Sequence, residues 1–247
     1  MIPNGWHDVS VYEYKSIYDI INNDESIFSK FLSIFEILNP DEDFGSKDVE
    51  EFNELINQND WIVTTPSLNF KQSVDRFHLK PFQKHNLAEW IDLDTFVKKM
   101  DFLSCCSILY KQKKINEWGH TIWEPYEYDV EERSEELSDF LITDIFGAYT
   151  SYLKYREKIL NLYHEAFEAP EEDYEPSEED KQILSEEEIR QVKKEVEEEK
   201  KKQEFSWQYF LDGLSQGDMT KHEQILNMPA IYVFNMFIMI KRFKKNL

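Results

Sequence analysis

The chain has 247 residues, of which 50 are acidic and 28 are basic, so its net charge is −22. Proteins that bind DNA or RNA need Lys and Arg side chains to displace counterions from the phosphates, so this charge disfavours nucleic acid as the main partner. Hydrophobic residues make up 41% of the chain, which is enough for a folded core and excludes a wholly disordered protein.

The first sixty residues predict three short helices. A capping-box pattern, Ser10 with Glu13, starts the first helix, which is expected to run to Ile21. The second helix should end at Asn39, before a proline, and the third should begin at Ser46. Apolar residues recur every three or four positions in all three segments, which predicts that the helices pack on one another.

The periodicity then changes and predicts a small β element. Residues 61–66 are rich in β-branched side chains, and apolar residues alternate with polar ones around Leu68 and Phe77. The segment 72–75 is a suitable turn between two short strands. We therefore expect one β-hairpin within an otherwise helical domain.

Helical periodicity returns over residues 86–110 and is strongest over residues 131–167. Cys105 and Cys106 lie among apolar neighbours, where free cysteines commonly serve as small packed residues. Gly147 interrupts the second segment. It either costs about 1 kcal/mol relative to Ala inside a continuous helix or marks a break between two helices.

Between these helical segments, residues 111–128 are irregular and rich in aromatic side chains. Trp118 and Trp123 belong to this segment. Because Trp and Tyr dominate the energetics of protein interfaces, the segment is a candidate contact surface. The alternative is that its rings simply cover the helical core.

The composition shifts abruptly at residue 168. Many carboxylates and two prolines over 168–180 predict a solvated linker, and a helix that is polar nearly all round should begin at Ser185. The predicted organisation is a multi-helix domain with a small β element (1–167), an acidic linker with a charged helix (168–204), and a C-terminal helical module (205–247). The fold class is therefore mainly α.

The C-terminal module ends in a strongly apolar helix. Residues 231–240 are apolar on nearly every side, and the basic residues 241–245 suit a helix C-terminus. Such a helix must be buried, either by docking onto the N-terminal domain or by binding another protein. Its Met and aromatic side chains form the adaptable kind of surface that promiscuous binders use. The predicted partner-binding residues are Trp207, Phe210, Tyr232, Phe234, Met236, Phe237 and Met239, together with Trp118 and Trp123.

No motif for catalysis or cofactor binding stands out. The six glycines have neither the spacing of a dinucleotide-binding loop nor that of a Walker loop. The six histidines are scattered, and one Glu-x-x-His pattern, Glu117 to His120, crosses a glycine, so neither a metal site nor a cofactor is predicted. Carboxylate pairs are so abundant that an acid–base enzyme stays open as an alternative to the predicted non-enzymatic protein.

The sequence predicts an intracellular protein. The N-terminus lacks the basic and apolar regions of a secretory signal, and the two adjacent cysteines do not easily bridge each other. The longest apolar run, 228–240, holds 13 residues, whereas a transmembrane helix needs about 20. No membrane partner is therefore predicted.

One resemblance favours a specific role. The opening segment Ile2–Val11 has an Ile-Pro pair, Trp6, and an Asp-Val-Ser run that leads into a helix. It resembles the start of phage tail assembly chaperones, and segments 87–94 and 207–229 are similar to that family too. The resemblance implies a cytoplasmic protein of an infected bacterium, without catalytic residues or cofactors, that binds a tail, tape-measure or baseplate hub component until assembly.

The residues and the resemblance together predict a tail assembly chaperone that binds an apolar segment of a virion component. The first alternative is a structural or cargo protein that is retained in the virion. An acid–base enzyme and a nucleic-acid mimic are weaker alternatives, and a homo-oligomer stays open. The acidic segment 168–204 and the large loop around Trp118 depart from the family pattern.

Overall fold

The structure is a computed structural model that describes residues 2–127, 129–167 and 206–245. It is mostly helical, with a small antiparallel sheet, which confirms the predicted mainly α fold. The predicted acidic linker and charged helix, 168–204, lie outside the described residues. None of the described helices has the length and apolar character needed to cross a lipid bilayer.

The chain divides into two compact units, Met1–Glu157 and Lys158–Leu247. The sequence placed the end of the first domain after residue 167, whereas the boundary between the compact units falls inside a long helix. The helices of the first unit are α1 (Val11–Ile21), α2 (Ile27–Leu38), α3 (Val49–Gln58), α4 (Leu87–Lys98), α5 (Phe102–Leu109), α6 (Val130–Ser138) and the larger part of α7 (Ile142–Leu162).

The first three helices begin at local capping signals. The Ser10 Oγ accepts a hydrogen bond from the Glu13 backbone N–H at 3.2 Å, and the Glu13 carboxylate accepts one from the Ser10 N–H, so the predicted capping box starts α1. Ser26 caps α2. The N-cap of α3 is Asp48 rather than Ser46, because Phe44–Ser46 forms a 3-10 turn before the helix begins.

The sheet contains more strands than the predicted hairpin. Its strands pair in the order β1 (Ser73–Val74), β2 (Phe77–Leu79), β3 (Tyr110–Ile115) and β4 (Thr121–Trp123), and all neighbours are antiparallel. Asp75, at a φ of 50°, makes the tight turn between β1 and β2. The expected strand at 61–66 is instead a 3-10 turn, Asp60–Val63, which follows directly from the end of α3.

Helix α7 passes through Gly147 without a break. A Cβ on this glycine would lie 2.0 Å from the Leu68 carbonyl oxygen, so the loop backbone packs directly against the helix. The Lys71 N–H also donates to the Asp144 carbonyl at 2.8 Å. Gly147 is therefore required by the close approach of a loop, which resolves the two interpretations that the sequence left open.

Helix α5 carries the two cysteines. Cys105 and Cys106 are both free and buried, and burial raises the pKa of both thiols. A raised pKa leaves little thiolate at neutral pH, so these side chains are unreactive packed residues.

The second unit contains the end of α7 and the helices α8 (His164–Phe167), α9 (Trp207–Ser215), α10 (His222–Leu226) and α11 (Ala230–Lys245). Gly217, at a φ of 78°, follows the end of α9 in the left-handed conformation that glycine adopts without strain. Asp218 caps the next segment, because its side chain accepts a hydrogen bond from the Thr220 N–H.

Candidate functional site

The inner face of the final helix, α11, holds the second unit together. Phe234 is fully buried, and its ring centroid lies 5.6 Å from that of Tyr163 and 5.2 Å from that of Phe167. Phe237 stacks near Phe210, with their centroids 4.3 Å apart. Three of the predicted partner-binding residues, Phe210, Phe234 and Phe237, are therefore occupied within their own unit. Any partner would reach them only after the unit opened.

Trp207 belongs to the same aromatic cluster but is only half-buried. Its ring lies edge-on to Phe167, with centroids 5.9 Å apart, and edge-on to Phe210, with centroids 5.7 Å apart. This predicted partner-binding residue therefore covers the cluster and keeps part of its surface accessible.

The outer face of α11 carries a stripe of exposed apolar side chains. Tyr232, Met239 and Phe243 are each more than half exposed, and Met236 between them is half-buried. These four residues, which we call the outer stripe, are spaced by four, three and four positions. At about 100° per residue they lie on one side of the helix, roughly 140° from the buried face. The predicted residues Tyr232, Met236 and Met239 thus lie where a partner can reach them.

The basic end of α11 is tied to α8. The Lys241 ammonium group donates to the Glu165 carbonyl at 2.6 Å, and the Arg242 guanidinium pairs with the Glu165 carboxylate at 2.9 Å. These contacts fix the rotation of α11 about its own axis, and therefore the direction in which the outer stripe faces within the second unit.

Residues 110–123, which overlap the aromatic segment 111–128, form a β-hairpin rather than an irregular loop. Trp118 is 78% exposed in the turn between β3 and β4, while Trp123 is half-buried in β4 with the Lys113 ammonium group 5.2 Å from its ring. The Asn116 Oδ1 accepts from the His120 N–H at 2.8 Å and so closes the turn. Trp118 does not cover the helical core, but it is a single exposed ring.

A second accessible apolar surface lies where α1, α2 and the 3-10 turn after α3 meet. It is a groove of about 340 Å³ that we call the apolar groove. Its lining residues are Ile21, Ile27, Lys30, Phe31, Ile34, Ile62 and Val63. The groove is not evident from the sequence, because its walls come from three separate segments. The one local indication of the groove was the presence of apolar residues at helix ends, outside the apolar stripe that faces the core.

A cluster of buried charged side chains joins the sheet to α4. The Glu89 carboxylate lies 2.7 Å from the Lys80 ammonium group and 2.6 Å from that of Lys111, and the His85 Nδ1 lies 3.2 Å from it. The Asn86 N–H donates to the same carboxylate at 2.9 Å, which makes Glu89 part of the α4 capping box. We call Lys80, His85, Glu89 and Lys111 the buried ion cluster.

Electrostatics in this cluster hold Glu89 ionised. Burial raises the pKa of Glu89, but the hydrogen bond from His85 and the charges of the lysines outweigh burial, so the net pKa is lowered. Burial lowers the pKa of His85 and of Lys111. The Lys111 ammonium group also lies 4.7 Å from the centroid of the Tyr126 ring.

The buried ion cluster is better suited to structure than to catalysis. All four side chains are less than one-tenth exposed, so a substrate could reach them only after the sheet and α4 separated. The carboxylate caps a helix and neutralises lysines from two strand regions at once. This arrangement fixes α4 against the sheet.

A wide acidic groove lies between α1, α4, α5 and α6. It has a volume of about 990 Å³, and its carboxylates include Asp92, Asp129 and Glu131, with Lys15 as a basic lining residue. Burial raises the pKa of Asp92, which accepts a hydrogen bond from the Tyr126 hydroxyl. A cluster of acidic side chains does not by itself define a binding site, and this groove supports no specific chemistry.

The comparisons with known proteins do not assign a family. No protein-family model, curated protein or solved structure matches the chain. Among the described residues, no group of three or more His, Cys, Asp or Glu side chains is arranged to hold a metal ion. The resemblance to tail assembly chaperones therefore depends on the sequence segments alone and stays a prediction.

Proposed function

We infer that this protein is a non-enzymatic assembly chaperone of a tailed phage, which binds an apolar helical segment of a tail or baseplate component. The outer stripe on α11 is the observation that carries the proposal. It presents Tyr232, Met236, Met239 and Phe243 to solvent, although the opposite face of the same helix is packed.

The spacing of the outer stripe suits a helical partner. Positions four, three and four apart form the seam through which one helix packs along another. From Tyr232 to Phe243 the stripe extends about 16 Å at a rise of 1.5 Å per residue. Two methionines in the seam adapt to partners of different shape, because the unbranched thioether side chain has many accessible rotamers.

The charge of the chain supports the same role. A protein that exposes apolar side chains tends to associate with itself, and a net charge of −22 opposes that association. Such a protein stays dissolved while it holds an apolar segment of another chain. A chaperone of this kind needs no nucleophile or metal ion.

The test is affinity purification of the full chain from infected cells, with the bound proteins identified by mass spectrometry. We expect one virion structural protein to co-purify in stoichiometric amounts. Replacing Tyr232 and Met239 by Ser should weaken its binding about thirtyfold and reduce its recovery, because the two side chains together lose roughly 2 kcal/mol of apolar contact. The matched control replaces Tyr12 and Met219, which are exposed elsewhere, by Ser.

Three results would count against the proposal. They are equal recovery with the Tyr232 and Met239 variant, equal loss with the control variant, and the absence of any virion protein among the partners. Mass spectrometry of purified particles separates the two phage roles. A chaperone is absent from the particle, whereas a retained structural or cargo protein is present at a fixed ratio.

A further inference from the structure

The apolar groove of the first unit is a formed concavity with an accessible opening. Its floor is buried, with Ile34 and Ile62 at 2% and 1% exposure. Its walls are open, with Ile27 at 74% and Val63 at 70% exposure. Apart from Lys30, every lining side chain is aliphatic or aromatic. Contiguous exposed apolar surface beside a buried floor is typical of a site that another chain covers.

The size of the groove limits what it can hold. About 340 Å³ is near the lower end of the range for ligand-binding pockets, which extends from about 300 to 1,000 Å³. This volume accommodates a few apolar side chains rather than the whole face of a long helix. The occupant is therefore a short segment that inserts apolar side chains between Ile27 and Val63.

Three acidic residues lie close in the sequence to the residues that line the groove. Asp24 and Glu25 lie in the turn that joins α1 to α2, and Asp60 begins the 3-10 turn that carries Ile62. The Lys30 ammonium group donates to the Ile21 carbonyl at 2.8 Å, so this cation is directed at the C-terminal end of α1. The three acidic residues are exposed, and each is within three positions in the sequence of a residue that lines the groove.

We propose that the apolar groove binds a short apolar segment of another protein that is flanked by Lys or Arg residues. The apolar side chains fill the groove, and the flanking cations lie against Asp24, Glu25 and Asp60. The net charge of −22 attracts a basic segment to the chain before contact. This inference rests on the proposed function and names a second surface, in a different unit from the outer stripe.

The test uses the full chain labelled at its isoleucine δ1 methyl groups and observed by NMR. The probe is a short synthetic peptide with a Leu-Phe-Ile-Leu core and lysines at both ends. A second peptide carries glutamates in place of the lysines. We expect the lysine peptide to shift the methyl signals of Ile21, Ile27 and Ile62 and to bind about tenfold more tightly than the glutamate peptide at low salt.

Substitutions in the groove give a matched comparison. Replacing Ile27 and Val63 by Gln should weaken binding of the lysine peptide at least about tenfold, because it removes most of the apolar contact. The control Val49→Gln alters a valine of nearly equal exposure, 68%, outside the groove and should leave binding unchanged. Neutralising Asp24 and Asp60 to Asn should weaken binding about threefold per carboxylate and reduce its salt dependence.

Four outcomes would overturn the proposal. The two peptides could bind equally, the groove variant could bind as the unaltered chain does, or the peptide could shift only Ile231 and Ile240 of α11. Methyl shifts in the groove that grow with protein concentration in the absence of peptide would show that a second copy is the occupant. None of these outcomes bears on the virion partner of the outer stripe, so failure here is distinct from failure of the proposed function.

Discussion

Replacing Glu89 by Gln should strongly destabilise the first unit, because the carboxylate is the shared counter-charge of two buried lysines. Its oxygens lie 2.7 Å from the Lys80 ammonium group and 2.6 Å from that of Lys111. Both lysines are less than one-tenth exposed, so water cannot replace the lost partner. Gln keeps an acceptor oxygen for the helix cap but carries no charge.

The expected loss is about 3–5 kcal/mol of unfolding free energy, the range measured when one partner of a buried ion pair is removed. That loss is a large part of the roughly 5–15 kcal/mol that stabilises a typical domain. Lys111 limits how large this loss of stability can be. Burial already lowers the pKa of this lysine, and the charge of Glu89 partly offsets that lowering. Without Glu89, Lys111 can fold neutral, and deprotonation costs about 1.4 kcal/mol for each unit by which its pKa exceeds the pH.

The pH dependence of the variant's stability follows from the lowered pKa of Lys111. In the Glu89→Gln variant the pKa of Lys111 is lower in the folded chain than in the unfolded chain, so the unfolded chain binds more protons at alkaline pH. The stability of the variant should therefore rise with pH below the unfolded pKa of about 10.4, and its deficit relative to the unaltered chain should shrink.

Urea denaturation followed by circular dichroism at several pH values measures both effects. The control replaces Lys80 and Lys111 by Met and Glu89 by Leu, which removes the charges of all three side chains. This uncharged triple variant should be more stable than Glu89→Gln. A loss of less than about 1 kcal/mol in Glu89→Gln, or an uncharged triple variant that is the less stable of the two, would show that Glu89 is not an essential counter-charge.

Three further predictions concern the fold. Gly147→Ala should lower the unfolding free energy by about 1–3 kcal/mol in urea titration, because the new Cβ would lie 2.0 Å from the Leu68 carbonyl oxygen. A gain of about 1 kcal/mol, as in an open helix, would contradict this prediction. Burial lowers the pKa of His85, so the unfolded chain takes up a proton below about pH 6.5 before the folded chain does. The stability should therefore fall as the pH decreases. In thermal melts at several pH values, His85→Asn should remove this contribution to the pH dependence of stability. Replacing Phe234 and Phe237 by Ser should unfold the second unit, because truncating a buried Phe costs about 3–5 kcal/mol. Hydrogen exchange measures this unfolding, and retained protection of α11 would show that these rings are not the core of the unit.

Signals that are local in the sequence predicted the structure well. The capping box at Ser10 and Glu13 needs only three residues of chain, and it starts α1 where expected. The end of α2 at Asn39 is equally local, since the proline that follows cannot continue a helix. A nearer capping residue, Asp48, displaced the expected start of α3, which shows that competing caps a few residues apart are hard to rank from sequence.

Features that depend on distant segments could not be predicted. Strand β3 reads as the end of a helix until its partner is known, and that partner, β2, lies thirty residues earlier with Leu79 opposite Tyr110. Lys111 looks like a solvated charge in the sequence, but it is fully buried because Glu89 arrives from another element. The apolar groove requires three segments to meet, and no single segment predicts it.

The predicted partner-binding residues of α11 divide into two functions, and the helical period alone separates them. Phe234 and Phe237 project to one side of the helix, whereas Tyr232 and Met239 project to the other. A description of the helix as uniformly apolar does not distinguish these two faces. The division matters for every binding experiment, because substitutions at Phe234 test folding and only those on the outer stripe test partner binding.

The outer stripe and the apolar groove lie in different compact units, so their substitutions can be combined to ask whether they serve one partner. If each surface binds a separate segment of the same protein, the intact chain gains affinity from effective concentration, and the loss from either variant exceeds the loss measured with an isolated peptide. If they serve different proteins, each variant removes one partner and leaves the other unchanged. Recovery of identified partners with the stripe variant, the groove variant and their combination therefore decides between one bivalent client and two.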